Sequence, residues 1–225
     1  MPNTMRTRPS LLPDDDELEL VHTRTYQTGV YLVDDGHLLV RGIIVDDKPP
    51  GLFIDDDPDP LEIHRMEVEL KVRLEDLVVV DARVGFETHP FETCPTIAAS
   101  YRQLIGLSVA RGFNRRVREL FGGPRGCTHT TALLQAMAPA VHQSMWSVSI
   151  KQRRAAAEAG QPEPSPEFME DQRRRAFQAN LNTCHIWDEE GERVRLIQAG
   201  GQDDHTPVSV RNRLTALGRK GAEWP

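Results

Sequence analysis

The stretch Gly122-Gly123-Pro124-Arg125-Gly126-Cys127-Thr128-His129 sets a cysteine and a histidine two residues apart at the start of a long helical pattern. A backbone this permissive can bring its amides close to a bound group, which makes Gly123, Arg125 and Gly126 candidate binding residues. The helix that follows offers unpaired N–H donors and a partial positive charge to a thiolate. Cys127 is the candidate nucleophile. A free thiol titrates near 8.5 and needs a partner that favours its anion to attack near neutrality. His129 can hydrogen-bond it or act as general base, although residues two apart on a helix point in different directions. His64 is the second candidate base. By alternation it lies on the apolar face of its strand, where an imidazole must find a polar neighbour; the plainer alternative is a satisfied core histidine. Asp81 is an acid in an otherwise apolar segment. Either it meets solvent at a sheet edge or it orients His64 or His129, completing a nucleophile, base and orienter set.

A second chemistry uses the same turn. Cys94, Cys127, His129 and Cys184 supply four ligands, the number that tetrahedral zinc takes, and iron is the alternative ion. Substituting His185 or His64 for one of them leaves an open position for water, as catalytic zinc requires. The cysteines stand singly, without paired Cys-x-x-Cys knuckles, so their convergence depends on the fold. Buried inert thiols are the plain alternative for each. His142, Met145 and Trp146 read as residues of an apolar helix.

The elements that position these residues change period midway. Thr25 to Val33 and His37 to Val45 are β-branched and aromatic, and Asp34-Asp35-Gly36 between them signals a hairpin. From His64 to Arg73 apolar and charged residues alternate, as in a strand buried on one face. Leu77 to Val84 reads as a central strand. After Pro90 the period becomes helical, over Thr96 to Leu107, Phe113 to Phe121 and Thr128 to Glu158, with Pro139 expected to kink or divide the last near Ala138. Gln161 to Pro166 is a break, Glu167 to Ala179 a short basic helix, and His185 to Gln198 a late hairpin around Asp188-Glu189-Glu190-Gly191. Strands followed by helices indicate an α+β domain, with an antiparallel sheet from the N-terminal half packed against a helical C-terminal half. The expected organisation is a disordered tail over 1–18, one domain over 19–200 and a loosely ordered tail over 201–225.

Composition limits the partners. The 225 residues are 39% hydrophobic and 27% charged, an ordinary globular balance. With 34 acidic against 27 basic residues the formal charge is -7, which disfavours nucleic acid or an anionic membrane and leaves a small-molecule ligand or substrate. Lys151 to Arg154 and Arg173 to Arg175 read as solvated helix faces. No apolar run is long enough to cross a bilayer, no secretory signal is evident, and three cysteines are too few for a disulfide framework. A cytoplasmic location is expected; oligomeric state is left open. P-loop, Gly-x-Gly-x-x-Gly, His-Glu-x-x-His and Gly-x-Ser-x-Gly motifs are absent.

The series Ile63-His64-Arg65-Met66, Leu77 to Ala82, Cys94-Pro95-Thr96-Ile97, Gly106, Gly126-Cys127-Thr128-His129 and Cys184-His185 resembles the bacterial family known as domain of unknown function 2889, over about residues 20 to 198. The resemblance implies that His64, Asp81, Cys94, Cys127, His129, Cys184 and His185 occupy characteristic positions; it implies no reaction. Three readings follow. The first is an enzyme of small-molecule catabolism, of hydrolase or acyl-transfer type, using Cys127 with a histidine on an acyl, thioester or lactone-like carbonyl. The second is a zinc or iron enzyme or carrier. The third is a non-catalytic ligand-binding or accessory module.

Overall fold

A computed structural model describes residues 18–34, 36–200 and 207–219. The tail expected over 1–18 falls outside them but for its last residue, whereas the segment 201–225 contains a described helix. The chain divides into two compact units, Met1–Val148 and Ser149–Pro225.

In the first unit four antiparallel strands, β1 (Thr23–Asp34), β2 (His37–Lys48), β3 (Leu61–Arg73) and β4 (Val79–Thr88), lie in the order β1-β2-β3-β4. Alternation decides which face is dry. Leu38, Val40 and Ile44 of β2 and Met66, Val68, Leu70 and Val72 of β3 are buried on one face, and charged partners such as Arg41 and Glu69 pair on the other. The β1–β2 turn is fixed by Asp34, whose carboxylate accepts the Gly36 N–H at 2.9 Å and faces His37 Nδ1 at 2.8 Å. The sequence-based expectation of a central strand near Leu77 is corrected. β4 is the last strand of the sheet, extended beyond it only by an isolated bridge between Val78 and Ser108.

The dry face is covered by a 3₁₀ helix (Cys94–Leu104), α1 (Phe113–Phe121) and the part of α2 (Thr128–Glu158) that ends at Val148, whose Tyr101, Leu104, Val117, Phe121, Leu133 and Met137 share one core with the strands. The segment expected as an α-helix over Thr96 to Leu107 is 3₁₀ instead. It carries Pro95 in its first turn and buries Tyr101 and Leu104, three residues apart as a three-residue turn demands. α2 is not divided at Pro139. It runs 31 residues, and burial of Met137, Ala138 and Val141 around the proline offsets the hydrogen bond that Pro139 cannot make. The helix approaches the sheet closely because Gly42 has no side chain: a Cβ there would lie 2.5 Å from Met137 Sδ and 3.1 Å from Leu133 Cδ1.

The second unit contains α3 (Pro166–Asn180), α4 (Glu192–Gln198) and α5 (Val208–Ala216). Ser165 caps α3 by accepting the Phe168 N–H at 3.2 Å. The expected late hairpin does not form. His185–Trp187 is a 3₁₀ turn held by Asn182 N–H on the Trp187 carbonyl at 2.8 Å, and the next segment coils so that Val194 is buried and Arg193 stacks 4.5 Å over the Trp187 ring. Among the described residues no helix is long and apolar enough to cross a membrane.

Gly42→Val places two further methyl groups between β2 and α2, and should lower the unfolding free energy by about 2 kcal/mol. Urea denaturation measures it; an unchanged midpoint would mean that α2 does not rest on the sheet at this glycine.

Candidate functional site

Cys127 is held by backbone geometry before any side chain acts. Gly126 is extended, at φ -158° and ψ 176°, and a Cβ on it would lie 2.6 Å from the Phe121 carbonyl oxygen and 2.7 Å from Phe121 Cβ. Only glycine lets the chain pass so close to the end of α1. The Cys127 carbonyl accepts the Thr131 N–H at 2.9 Å, opening α2, and the Cys127 N–H donates to Tyr101 Oη at 2.8 Å. Tyr101 is buried, stacks on Phe121 at 4.5 Å between ring centroids, and is pushed up in pKa by burial. Gly123, at φ 61°, and Arg125 belong to a short 3₁₀ turn on the exposed side of this junction.

The sheet supplies the other half of the site. Arg24, Asp46 and His64 are register partners across β1, β2 and β3, with a register irregularity just after Asp46. Asp46 is 1% exposed. Its carboxylate receives a bidentate fork from Arg24, Nε to Oδ1 at 2.6 Å and Nη2 to Oδ2 at 2.7 Å. His64 Nδ1 and His129 Nε2 each lie 3.1 Å from Oδ2, and His22 Nε2 lies 3.5 Å from Oδ1. Burial alone would raise the Asp46 pKa; the Arg24 fork outweighs it and holds the carboxyl at about 2. Burial also lowers His129, helped by the charge of neighbouring His64 and opposed by Asp46. The neutral ring is therefore favoured near pH 7.

The two imidazoles stack, with centroids 3.9 Å apart and planes tilted by 30°. Each faces an anionic oxygen, so the facing nitrogens carry the protons: Nδ1 of His64 and Nε2 of His129. That leaves His129 Nδ1 as an acceptor, 3.8 Å from Cys127 Sγ. A thiol, an imidazole and a carboxylate thus stand in series, with a second histidine on the same carboxylate.

The structure rearranges the residues singled out by sequence. Cys127, His129 and His64 come together. Asp81 does not join them: its side chain is 44% exposed, it is opposite Lys71 in the register, and it sits 3.5 Å from Arg83. In β4 its neighbour Ala82 takes the dry face. The acid that meets both histidines is Asp46, which the sequence analysis does not single out. Its signal was parity, because Asp46 continues the even-numbered series Leu38, Val40, Gly42 and Ile44 that points inward. Arg24, His22 and Tyr101 were missed as well. Among the described residues the one group of three or more metal-type ligand atoms within 4.8 Å of one another is Asp46, His64 and His129, which includes none of the cysteines. Cys94 is half-buried at the start of the 3₁₀ helix, and Cys184 and His185 are exposed residues of the second unit.

A family model described as a protein of unknown function (DUF2889) matches residues 22–143, from His22 through the whole cluster and not as far as Cys184. No curated protein and no solved structure matches the chain.

Protonation links this site to stability. Asp46 has a folded pKa of about 2 against an ordinary 3.8, so it contributes about 2 kcal/mol above pH 4 that is lost as pH falls through 2. The lowered His129 value adds a loss as pH falls below 6.5, where the unfolded chain takes up the proton first. Urea denaturation should show His129→Gln flattening the wild-type decline between pH 7 and 5, and Asp46→Asn flattening it below pH 4. Parallel profiles for all three proteins would contradict the assigned couplings.

Proposed function

We propose that this chain, which belongs to the DUF2889 family of proteins of unknown function, is a thiol enzyme that cleaves or transfers acyl groups through Cys127. The observation that carries this reading is the series Cys127 Sγ, His129 Nδ1 at 3.8 Å, and His129 Nε2 at 3.1 Å from Asp46 Oδ2. The thiol contact is long for a hydrogen bond, as such contacts are in free enzymes before substrate closes them.

His129 Nδ1 takes the Cys127 proton as sulfur attacks the acyl carbon. Asp46 keeps the other imidazole proton on Nε2 and stabilises the imidazolium that forms, as the acid does in other nucleophile–histidine–carboxylate sets. The carbonyl oxygen gains charge beside the first N–H groups of α2, which have no partner within the helix. The Cys127 N–H is engaged by Tyr101, so the donors for that oxygen are the amides that follow it. Collapse breaks the bond to the leaving group, which departs with the proton from His129 Nδ1 and leaves a thioester. Water, deprotonated by the same nitrogen, releases the carboxylic acid and restores the thiol.

A panel of esters, lactones and thioesters tests this, with intact-mass detection of an acyl adduct on Cys127. Cys127→Ala and His129→Ala are each expected to lower kcat/KM about a thousandfold, and Asp46→Asn to lower kcat with little change in KM. Turnover that survives Cys127→Ala removes the nucleophile. Full function in that variant favours an accessory module.

One observation favours a second reading: Asp46, His64 and His129 hold three donor atoms within 4.8 Å of one another, a set that suits zinc or iron. It ranks second because Arg24 engages both carboxylate oxygens and brings a positive charge to the place an ion would take. Elemental analysis of protein purified without chelator decides it. Less than about 0.1 equivalent of metal is expected from the thiol reading, and stoichiometric zinc or iron lost in His64→Ala would establish the metal.

A further inference from the structure

The connection between β2 and β3, residues 49–60, leaves the end of the sheet that carries Asp46 and His64, and it presents Leu52, Phe53 and Ile54 side by side to solvent. Phe53 is 63% exposed, and its ring lies 5.6 Å from the Lys48 ammonium at the end of β2. Antiparallel order brings two more exposed apolar residues to that end, Val21 just before β1 and Phe91 just after β4. α2 begins there as well, since His129 meets Asp46 while Leu133 and Met137 lie further along the sheet at Gly42. Three segments distant in sequence therefore carry large exposed apolar side chains to the end of the sheet where α2 begins with Cys127 and His129.

The same end is acidic. Asp55, Asp56, Asp57 and Asp59 follow Ile54 directly, and Asp47 and Glu62 continue the charge across β2 and β3, near enough that burial, Glu62 and Asp46 raise the Asp47 pKa. Two arginines nearby are engaged, Arg24 on Asp46 and Arg65 on Glu67 and Glu62, and the carboxylates Asp47, Asp55, Asp56, Asp57, Asp59 and Glu62 outnumber the cations Lys48 and Arg125. An apolar surface rimmed by carboxylates receives a neutral apolar group and repels an anionic one.

We infer that Leu52, Phe53 and Ile54 form the subsite for an uncharged, apolar part of the substrate, so that the acyl compound is a neutral ester or lactone and not a polyanionic carrier thioester. This inference rests on Cys127 being the nucleophile. The test uses three maleimides, N-methyl, N-benzyl and N-carboxyethyl, with the rate of Cys127 modification read by peptide mass spectrometry and normalised to glutathione. The benzyl reagent is expected to react about tenfold faster than the methyl one, and the carboxyethyl reagent more slowly than methyl at low salt. The double variant Leu52→Ser, Phe53→Ser, on an exposed loop, should abolish the benzyl preference with circular dichroism unchanged. Equal normalised rates, a preference for the carboxylate, or a benzyl preference that survives the double variant overturns the subsite and leaves Cys127 as the nucleophile. If Cys127 reacts no faster than glutathione with any reagent, the nucleophile itself fails. The subsite is then read from N-benzylsuccinimide, which cannot alkylate: shifts of the His64 and His129 ring signals support it, and their absence overturns it.

Discussion

A carboxylate taken almost wholly out of water is the constraint around which this protein is built. Asp46 occupies an inward position of β2, on the face that carries Val40 and Ile44, and an ionised group there is costly unless its oxygens are filled. Arg24 fills them from one side and the two histidines from the other. Each contact requires a separate piece of the fold. The register of β1 on β2 brings Arg24, the register of β3 brings His64, and α2 must lie across the sheet for His129 to arrive. The polar cluster is therefore a condition on strand pairing and helix placement together, and burial, with the charge of His64 and against that of Asp46, lowers the pKa of the imidazole that faces the thiol.

Placement of α2 relies on small residues and one tyrosine. Gly42 removes the side chain that would hold the helix off the sheet, and Gly126 lets the chain turn from α1 to α2 against the Phe121 carbonyl. Tyr101 reaches from the 3₁₀ helix to the Cys127 backbone. None of the three carries chemistry, yet together they determine that a thiol at the mouth of α2 faces an imidazole fixed from behind by the sheet.

Local pattern made much of this legible. The strand alternation from His64 to Arg73, the Asp-Gly turn and the helical period after Gly126 are set by nearest neighbours, and they predict the sheet, the α+β class and the placing of Cys127 and His129 at the start of one helix. The acid of the site was not legible from composition, because Asp46 stands beside Asp47 and resembles a solvated patch; strand parity separates the two, one inward and one facing its acidic neighbours. Asp81 misled for the opposite reason, since a carboxylate amid valines looks buried until pairing puts it opposite Lys71 at the sheet's last strand. The late hairpin failed because the apolar spacing from His185 to Gln198 fits either period, and burial of Val194 with stacking on Trp187 decides for helix. Convergence of the cysteines was a long-range question that spacing alone does not answer.

The central claim is that Asp46, His129 and Cys127 act as one series, with the imidazole proton held on the acid side. Nitrogen-15 NMR of the His129 ring reports this without any substrate. A neutral ring at pH 7 protonated on Nε2 and titrating below 6.5 is the expected result, with Nε2 losing that preference in Asp46→Asn. A neutral ring with its proton on Nδ1 would leave the thiol facing a donor that cannot accept its proton, and would contradict the series.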